Sequence, residues 1–294
     1  MPAGFPGGPY HPSGPPLTGT RWYGMPMRAK YDPVFRAQLL NGSQPHRVAR
    51  ETEIDARVAT EAPRVPWDEF VGDVLHWKAD EHFALIGPTG QGKTTMLLNV
   101  LPLHPYVVIF ATKPRDATMD SLATSGYLRM DRWRSLDAEQ FPRRILWPDA
   151  TRLSSEIGQK RIFEDAMDRI YREGGWTVAI DELWWISKKL KMENDIKTYL
   201  QQGRSLYISL LMATQRPANV PVEIYDQSTH IMFWRDNDEL NLKRMGGIGW
   251  KSAALIRSVV ANLEDHQVLY VNTRSGKMFR TRCPNVDPAL YDVR

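Results

Sequence analysis

Cysteine is almost missing from this 294-residue chain, where Cys283 stands alone. That excludes a disulfide framework and leads us to expect a reducing compartment. The seven histidines are scattered singly, and none has the spacing of a metal-ligand set. No apolar run approaches the roughly 18 residues of a membrane span, and the N-terminus lacks the apolar core of a signal peptide. A cytoplasmic protein is the expectation. A strong excess of one charge is lacking too. A formal net charge of +4 and a pI near 9.1 are compatible with nucleic acid, but too weak to argue for it unaided. No internal repeat is present. The length allows one large domain or two small ones, with a full core.

Proline and glycine are abundant, but only locally. They fill eleven of the first twenty positions, from Pro2 to Gly19. Such a segment has too little apolar surface to offset its ordering entropy, so residues 1–30 read as a Pro/Gly-rich flexible tail. Tyr10, Trp22 and Tyr23 leave two readings open: a disordered extension, or an arm that docks on a partner. Residues 31–66 are broken by Pro33, Pro45, Pro63 and Pro66 and read as an arm or linker. Order is expected over 67–294. There, helical spacing covers Trp67 to Trp77 and Ile157 to Tyr171, and a further helix is expected over 250–262. Apolar runs at 82–86, 106–111, 144–147, 176–180, 208–213 and 230–234 read as strands. A hairpin is expected over 268–282, turning at Ser275-Gly276. Strands alternating with helices define an α/β fold with a mostly parallel central sheet flanked by helices.

One run carries chemistry by itself. Gly87-Pro88-Thr89-Gly90-Gln91-Gly92-Lys93-Thr94 has the form G-x-x-x-x-G-K-[ST], and Thr95 follows it. It lies between the apolar strand Phe83-Ala84-Leu85-Ile86 and the helix former Met96 to Leu101, the context that makes this pattern a phosphate site. Its glycines let backbone N–H groups and a helix N-terminus converge on one anion. Lys93 is expected at the β- and γ-phosphates, and the Thr94 hydroxyl on Mg²⁺. ATP and Mg²⁺ are therefore the expected cofactors.

Two further strand tips add polar groups. Thr177 to Ile180 runs into Asp181 and Glu182, where ligands bind in open α/β sheets. Asp181 is expected to complete the Mg²⁺ shell, and Glu182 to deprotonate the attacking water. The other reading is a pair of N-cap acids. Ser209 to Ala213 runs into Thr214 and Gln215, and Gln215 is placed either to sense the γ-phosphate and position water or as a solvated loop amide.

Lys93, Asp181-Glu182 and the run Ala213-Thr214-Gln215-Arg216-Pro217 together resemble the FtsK/HerA superfamily of P-loop ATPases. Arg204 stands eleven residues before Gln215, as in FtsK-like members, and the lead-in His76-Trp77 to Glu81-His82 is similar as well. So is Thr112-Lys113-Pro114-Arg115-Asp116. The likeness spans roughly residues 67–283. It implies a RecA-like (ASCE) P-loop NTPase that hydrolyses ATP between subunits of a homo-oligomeric ring, a hexamer in most members, and pumps DNA, here taken as double-stranded.

In that family Arg204 would be an arginine finger completing a neighbour's site; its other reading is a surface arginine near a helix end. Lys188, Lys189 and Lys191 would grip DNA phosphates in the pore, or form a solvated charge run. Trp184-Trp185 are expected in core or interface packing. The membrane spans and winged-helix domain of FtsK itself do not fit in this chain. The architecture is thus more similar to a viral genome-packaging or mobile-element ATPase, in host cytoplasm or virion, with a capsid or other partner for the N-terminal arm. A nucleotide-dependent switch that remodels a protein complex is the competing class. The presence of Glu182 and Arg204 favours turnover.

Overall fold

The computed structural model describes residues 57, 58, 60–152, 155–215, 221–245 and 253–285. The expected tail and most of the expected arm lie outside the described residues, as do Arg216 and Pro217. Residues 57–294 form one compact unit. Its strands are β1 (His82–Ile86), β2 (Val107–Phe110), β3 (Leu128–Met130), β4 (Arg143–Leu146), β5 (Thr177–Ile180), β6 (Ser209–Thr214), β7 (Ser228–Trp234), β8 (Val268–Asn272) and β9 (Met278–Thr281). They make one sheet in the order β3-β4-β2-β5-β6-β1-β7-β8-β9. Every pair from β3 to β7 is parallel; β8 and β9 add an antiparallel hairpin.

The central strands are buried along their whole length, so alternate residues feed two apolar layers. On one face Ile86, Phe110, Ile180 and Met212 pack with Phe163, Met167 and Ile170 of α3 (Glu156–Glu173). On the other, Phe83, Leu85, Ile109 and Leu211 pack with Met96, Leu97 and Val100 of α1 (Lys93–Val100). Sheet between helices is a RecA-like arrangement, and β6 stands between the strand that enters the glycine loop and the strand that ends in Asp181.

Expected and observed elements differ in instructive places. The helix expected over 67–77 is one turn, Trp67–Glu69, followed by a wide π turn, Phe70–Val74. The wider turn, closed by Leu75 N–H on Phe70 O at 2.7 Å, brings Phe70 and Leu75 to one buried side. In α geometry, residues five apart diverge. Val65 N–H donates to Arg280 O, and Arg280 N–H to Pro63 O, both at 2.8 Å, so residues 63–65 cover the outer edge of β9. The helix α2 (Ala117–Thr124), capped by Asp116, and the edge strand β3 were not anticipated. Both are too short to show a period. Strand β7 starts at Ser228, two residues before its apolar run.

The end of the sheet where β1 begins is held by buried polar groups. His82 Nδ1 accepts the Leu210 N–H at 3.1 Å while its Nε2 faces Leu200 O at 3.2 Å, so the ring is neutral with its proton on Nε2. Burial pushes the His82 imidazole down to about 4, from an ordinary 6.5. The unfolded chain therefore binds this proton at a pH where the folded chain refuses it. Stability is intact above pH 6.5 and falls as pH drops from 6.5 to 4, by about 3 kcal/mol from this group. Urea unfolding midpoints at pH 7 and pH 4 test it. His82→Gln should lower stability at pH 7 yet show the shallower acid loss, since both proteins share the same carboxylates.

Candidate active site

The glycine loop leaves β1 and turns into α1. Gly87 donates its N–H to Thr214 O at 3.2 Å, tying the loop to β6. A Cβ on Gly87 would lie 2.6 Å from Trp234 Cβ, so only glycine fits. Gly90 and Gly92 adopt φ of +80° and +97°, conformations costly for other residues. Gly92 has no side chain to cap α1, which leaves its first N–H groups for an anion. Lys93 is buried at the first turn, and its Nζ donates to Pro88 O at 2.7 Å.

Two other strand tips close on this loop. Asp181 Oδ1 accepts the Thr94 hydroxyl at 3.0 Å. Gln215 bridges β6 to both sides: its Oε1 accepts Thr89 Oγ1–H at 2.7 Å, and its Nε2 donates to Glu182 Oε2 at 2.8 Å. The loop, Asp181, Glu182 and Gln215 thus form an arc, hydrogen-bonded at Thr89 and at Thr94, around a cavity of about 400 Å³. The strand that enters the loop, β1, and the strand that ends in Asp181, β5, are two spacings apart, roughly 10 Å.

Electrostatics follow from burial. Removal from water, and then Asp181 beside it, hold the Glu182 carboxyl above its ordinary value, while Lys113, Lys93 and the Gln215 amide oppose the rise. The Lys93 ammonium is pushed down by burial, against the pull of Asp181 and Glu182. Thr94 and Asp181 offer hard oxygens on one side of the loop, a donor set that suits Mg²⁺ completed by waters and phosphate. Mg²⁺ there would neutralise phosphate charge.

Of the residues singled out in the sequence, the structure brings Gly87 to Thr95, Asp181, Glu182 and Gln215 together. Arg204 is not among them. It lies just before β6, at the far end of the sheet, where its Nε meets Asp80 Oδ2 at 3.3 Å. Lys188 pairs with Glu193 and Lys189 with Glu156, the latter at 3.0 Å, while Lys191 is exposed at φ +57°. Trp185 donates its indole N–H to Gln159 Oε1 at 3.0 Å, whereas Trp184 is exposed on the wall of a second cavity, about 730 Å³, beside Glu182.

Lys113, His266, Cys283 and Asn285 also line this cavity, and of these Lys113 belongs to the stretch Thr112 to Asp116 noted in the sequence. That stretch is noted only for its family likeness, and no role for Lys113 is read from it. The others arrive from far along the chain and gave no signal. Burial pushes the Cys283 thiol up to about 11, which leaves it unreactive.

The fold defines the class: a RecA-like P-loop NTPase fold, with a mostly parallel sheet between helices and the glycine loop after β1. No protein-family model and no curated protein matches the sequence. Among solved structures, the chain is similar to the genome-packaging NTPase B204 of Sulfolobus turreted icosahedral virus 2 bound to ATPγS. The identity is 17%, with 71% of this chain and 100% of that one covered, at TM-score 0.54. B204 of Sulfolobus turreted icosahedral virus, described as a DNA-packaging ATPase, matches at 17% identity over the same shares, TM-score 0.53. VirB4 of Thermoanaerobacter pseudethanolicus matches at 9% identity over 71% and 91% of the two chains, TM-score 0.54. Among the described residues no helix is long and apolar enough to cross a membrane.

Proposed function

We propose that the chain hydrolyses Mg·ATP between subunits of a homo-oligomeric ring, a hexamer in our reading, and uses the cycle to drive double-stranded DNA, as in viral genome packaging or mobile-element transfer. The observation that carries the hydrolytic part is the arc Thr89–Gln215–Glu182 beside Thr94–Asp181. In it Glu182, a carboxylate of raised basicity, the Gln215 amide and the Asp181 carboxylate stand around one glycine loop, which supports this reading. Lys93 holds the phosphates. Asp181 and Thr94 hold the cation. Glu182 takes the proton of the attacking water, and Gln215 positions that water and reports the γ-phosphate to β6.

The ring rests on Arg204. β1 alone spans roughly 16 Å between the end where Asp80 lies and the phosphate loop, so Arg204 cannot act on its own subunit's nucleotide. The likeness to packaging ATPases supports DNA as the cargo.

Steady-state ATPase activity with and without linear duplex DNA tests the whole reading, with several-fold stimulation expected. The second reading, a switch that remodels a protein complex, has one observation behind it: Lys188 and Lys189 are already paired with acids. Indifference to DNA across a range of salt selects it. If those lysines and Lys191 grip phosphates, replacing all three with alanine should flatten the slope of log K against log[salt] by roughly 2–3. An unchanged slope returns them to a solvated face.

A further inference from the structure

Asp181 has two carboxylate oxygens, and the fold engages both. Oδ1 accepts Thr94, while Oδ2 faces Lys113 Nζ at 3.5 Å. Lys113 follows β2, which runs parallel to β5 with Phe110 opposite Ile180, so Lys113 and Asp181 leave the same edge of the sheet. In strand order the loops after β2 and β1 flank those after β5 and β6. The two lysines therefore approach the phosphate cavity from opposite sides.

The backbone beneath Lys113 is fastened with unusual care. Buried Trp147 donates its indole N–H to Lys113 O at 2.8 Å. Buried Gln159 donates to Thr112 O at 3.0 Å, and Gln159 is itself fixed by the Trp185 indole. Asp116, the cap of α2, stands 3.4 Å from the Lys113 ammonium. The ammonium so presented is half exposed, while Asp181 and Asp116 are each 15% exposed, so one solvent-facing cation is shared by two better-buried acids. A rigid base under a mobile, solvent-facing cation suits ligand binding better than it suits folding. Lys113 lines the phosphate cavity, and Glu182, on the neighbouring strand tip, lines it too.

We propose that Lys113 is a second phosphate-binding lysine, directed at the terminal phosphoryl group of a nucleoside triphosphate held in its own subunit. It makes the cavity select triphosphate over diphosphate. This rests on the nucleotide site proposed above. Once Asp181 turns to a divalent cation, the ammonium loses that carboxylate, and the terminal phosphate is the anionic group it meets in the same cavity. Its charge then also lies where negative charge spreads over the transferring phosphoryl oxygens.

Calorimetric titration of the full chain with ATPγS and with ADP, each in EDTA and in Mg²⁺, tests the assignment. In Lys113→Met, ATPγS should bind about tenfold more weakly or worse, the scale of one charge-assisted contact, while ADP stays within about twofold. Lys113→Arg should recover most of the difference. Thermal unfolding of Lys113→Arg should match the parent, because it keeps a positive charge beside Asp181. Equal weakening of both nucleotides, an unchanged ATPγS affinity in Mg²⁺, or a loss confined to EDTA would make Lys113 only a counter-ion of Asp181 and overturn the proposal. If the parent binds neither nucleotide, the nucleotide site itself is wrong and the lysine's role falls with it.

Discussion

Glu182→Gln should bind ATP with unchanged affinity and lose at least ~10²-fold in turnover, the usual cost of a missing base. The substitution keeps the shape and the hydrogen-bonding reach of the side chain. It removes the carboxylate of this site whose basicity is raised by burial and by Asp181 beside it. Asp181 lies close by and is spent on Thr94 and Lys113. The variant should therefore trap ATP, and a filter-binding or fluorescent-nucleotide assay should find it intact after many parent turnovers. Gln215→Ala makes a useful companion, because it unlinks Thr89 from Glu182 and leaves the carboxylate in place. A loss smaller than that of Glu182→Gln is expected there. Hydrolysis by Glu182→Gln within about threefold of the parent would falsify the assignment of the base.

The parts of this site that were legible in the sequence are those whose signal is local. The phosphate loop declares itself because glycine, lysine and hydroxyl must occur at fixed offsets, and Gly87, Gly90 and Gly92 each answer a steric or backbone demand found in the structure. Asp181-Glu182 and Gln215 were readable because each closes an apolar run, and in a parallel sheet such runs end on the ligand side. The order of strands was not readable from the residues. Only the sheet shows that β6 stands between β1 and β5, and hence that Gln215 spans Thr89 and Glu182. Lys113 is the instructive case. Its residue type and position were visible, but the partner that gives it meaning is 68 residues away. The π turn at Phe70–Val74 was hidden for a different reason: Phe70, Val71, Val74 and Leu75 satisfy helical spacing, and the choice between turn widths is made by tertiary packing against Tyr270.

Arg204→Ala should keep ATP binding and lose ~10³-fold or more in hydrolysis, the scale of an arginine supplied in trans. Its present partner is a weak competitor for such a role. The Asp80 pair is 3.3 Å long, with the arginine side chain 58% exposed, so a neighbour's phosphates can draw the guanidinium away at little cost. Loss of activity alone does not separate trans action from damage to the fold, and mixing does. Arg204→Ala subunits keep a working Lys93, and Lys93→Ala subunits keep a working Arg204. In a mixed assembly some interfaces join the two intact elements, so activity should partly return although each variant alone is dead. Size-exclusion chromatography with differently tagged variants establishes that mixed assemblies form. Single-turnover release of phosphate from the same mixture then covers a ring in which sites must fire in sequence, because one competent interface is enough for a burst. A mixed assembly with neither steady turnover nor a burst would place Arg204 outside the catalytic cycle, and with it would go the argument for a ring that the far end of β1 supplies.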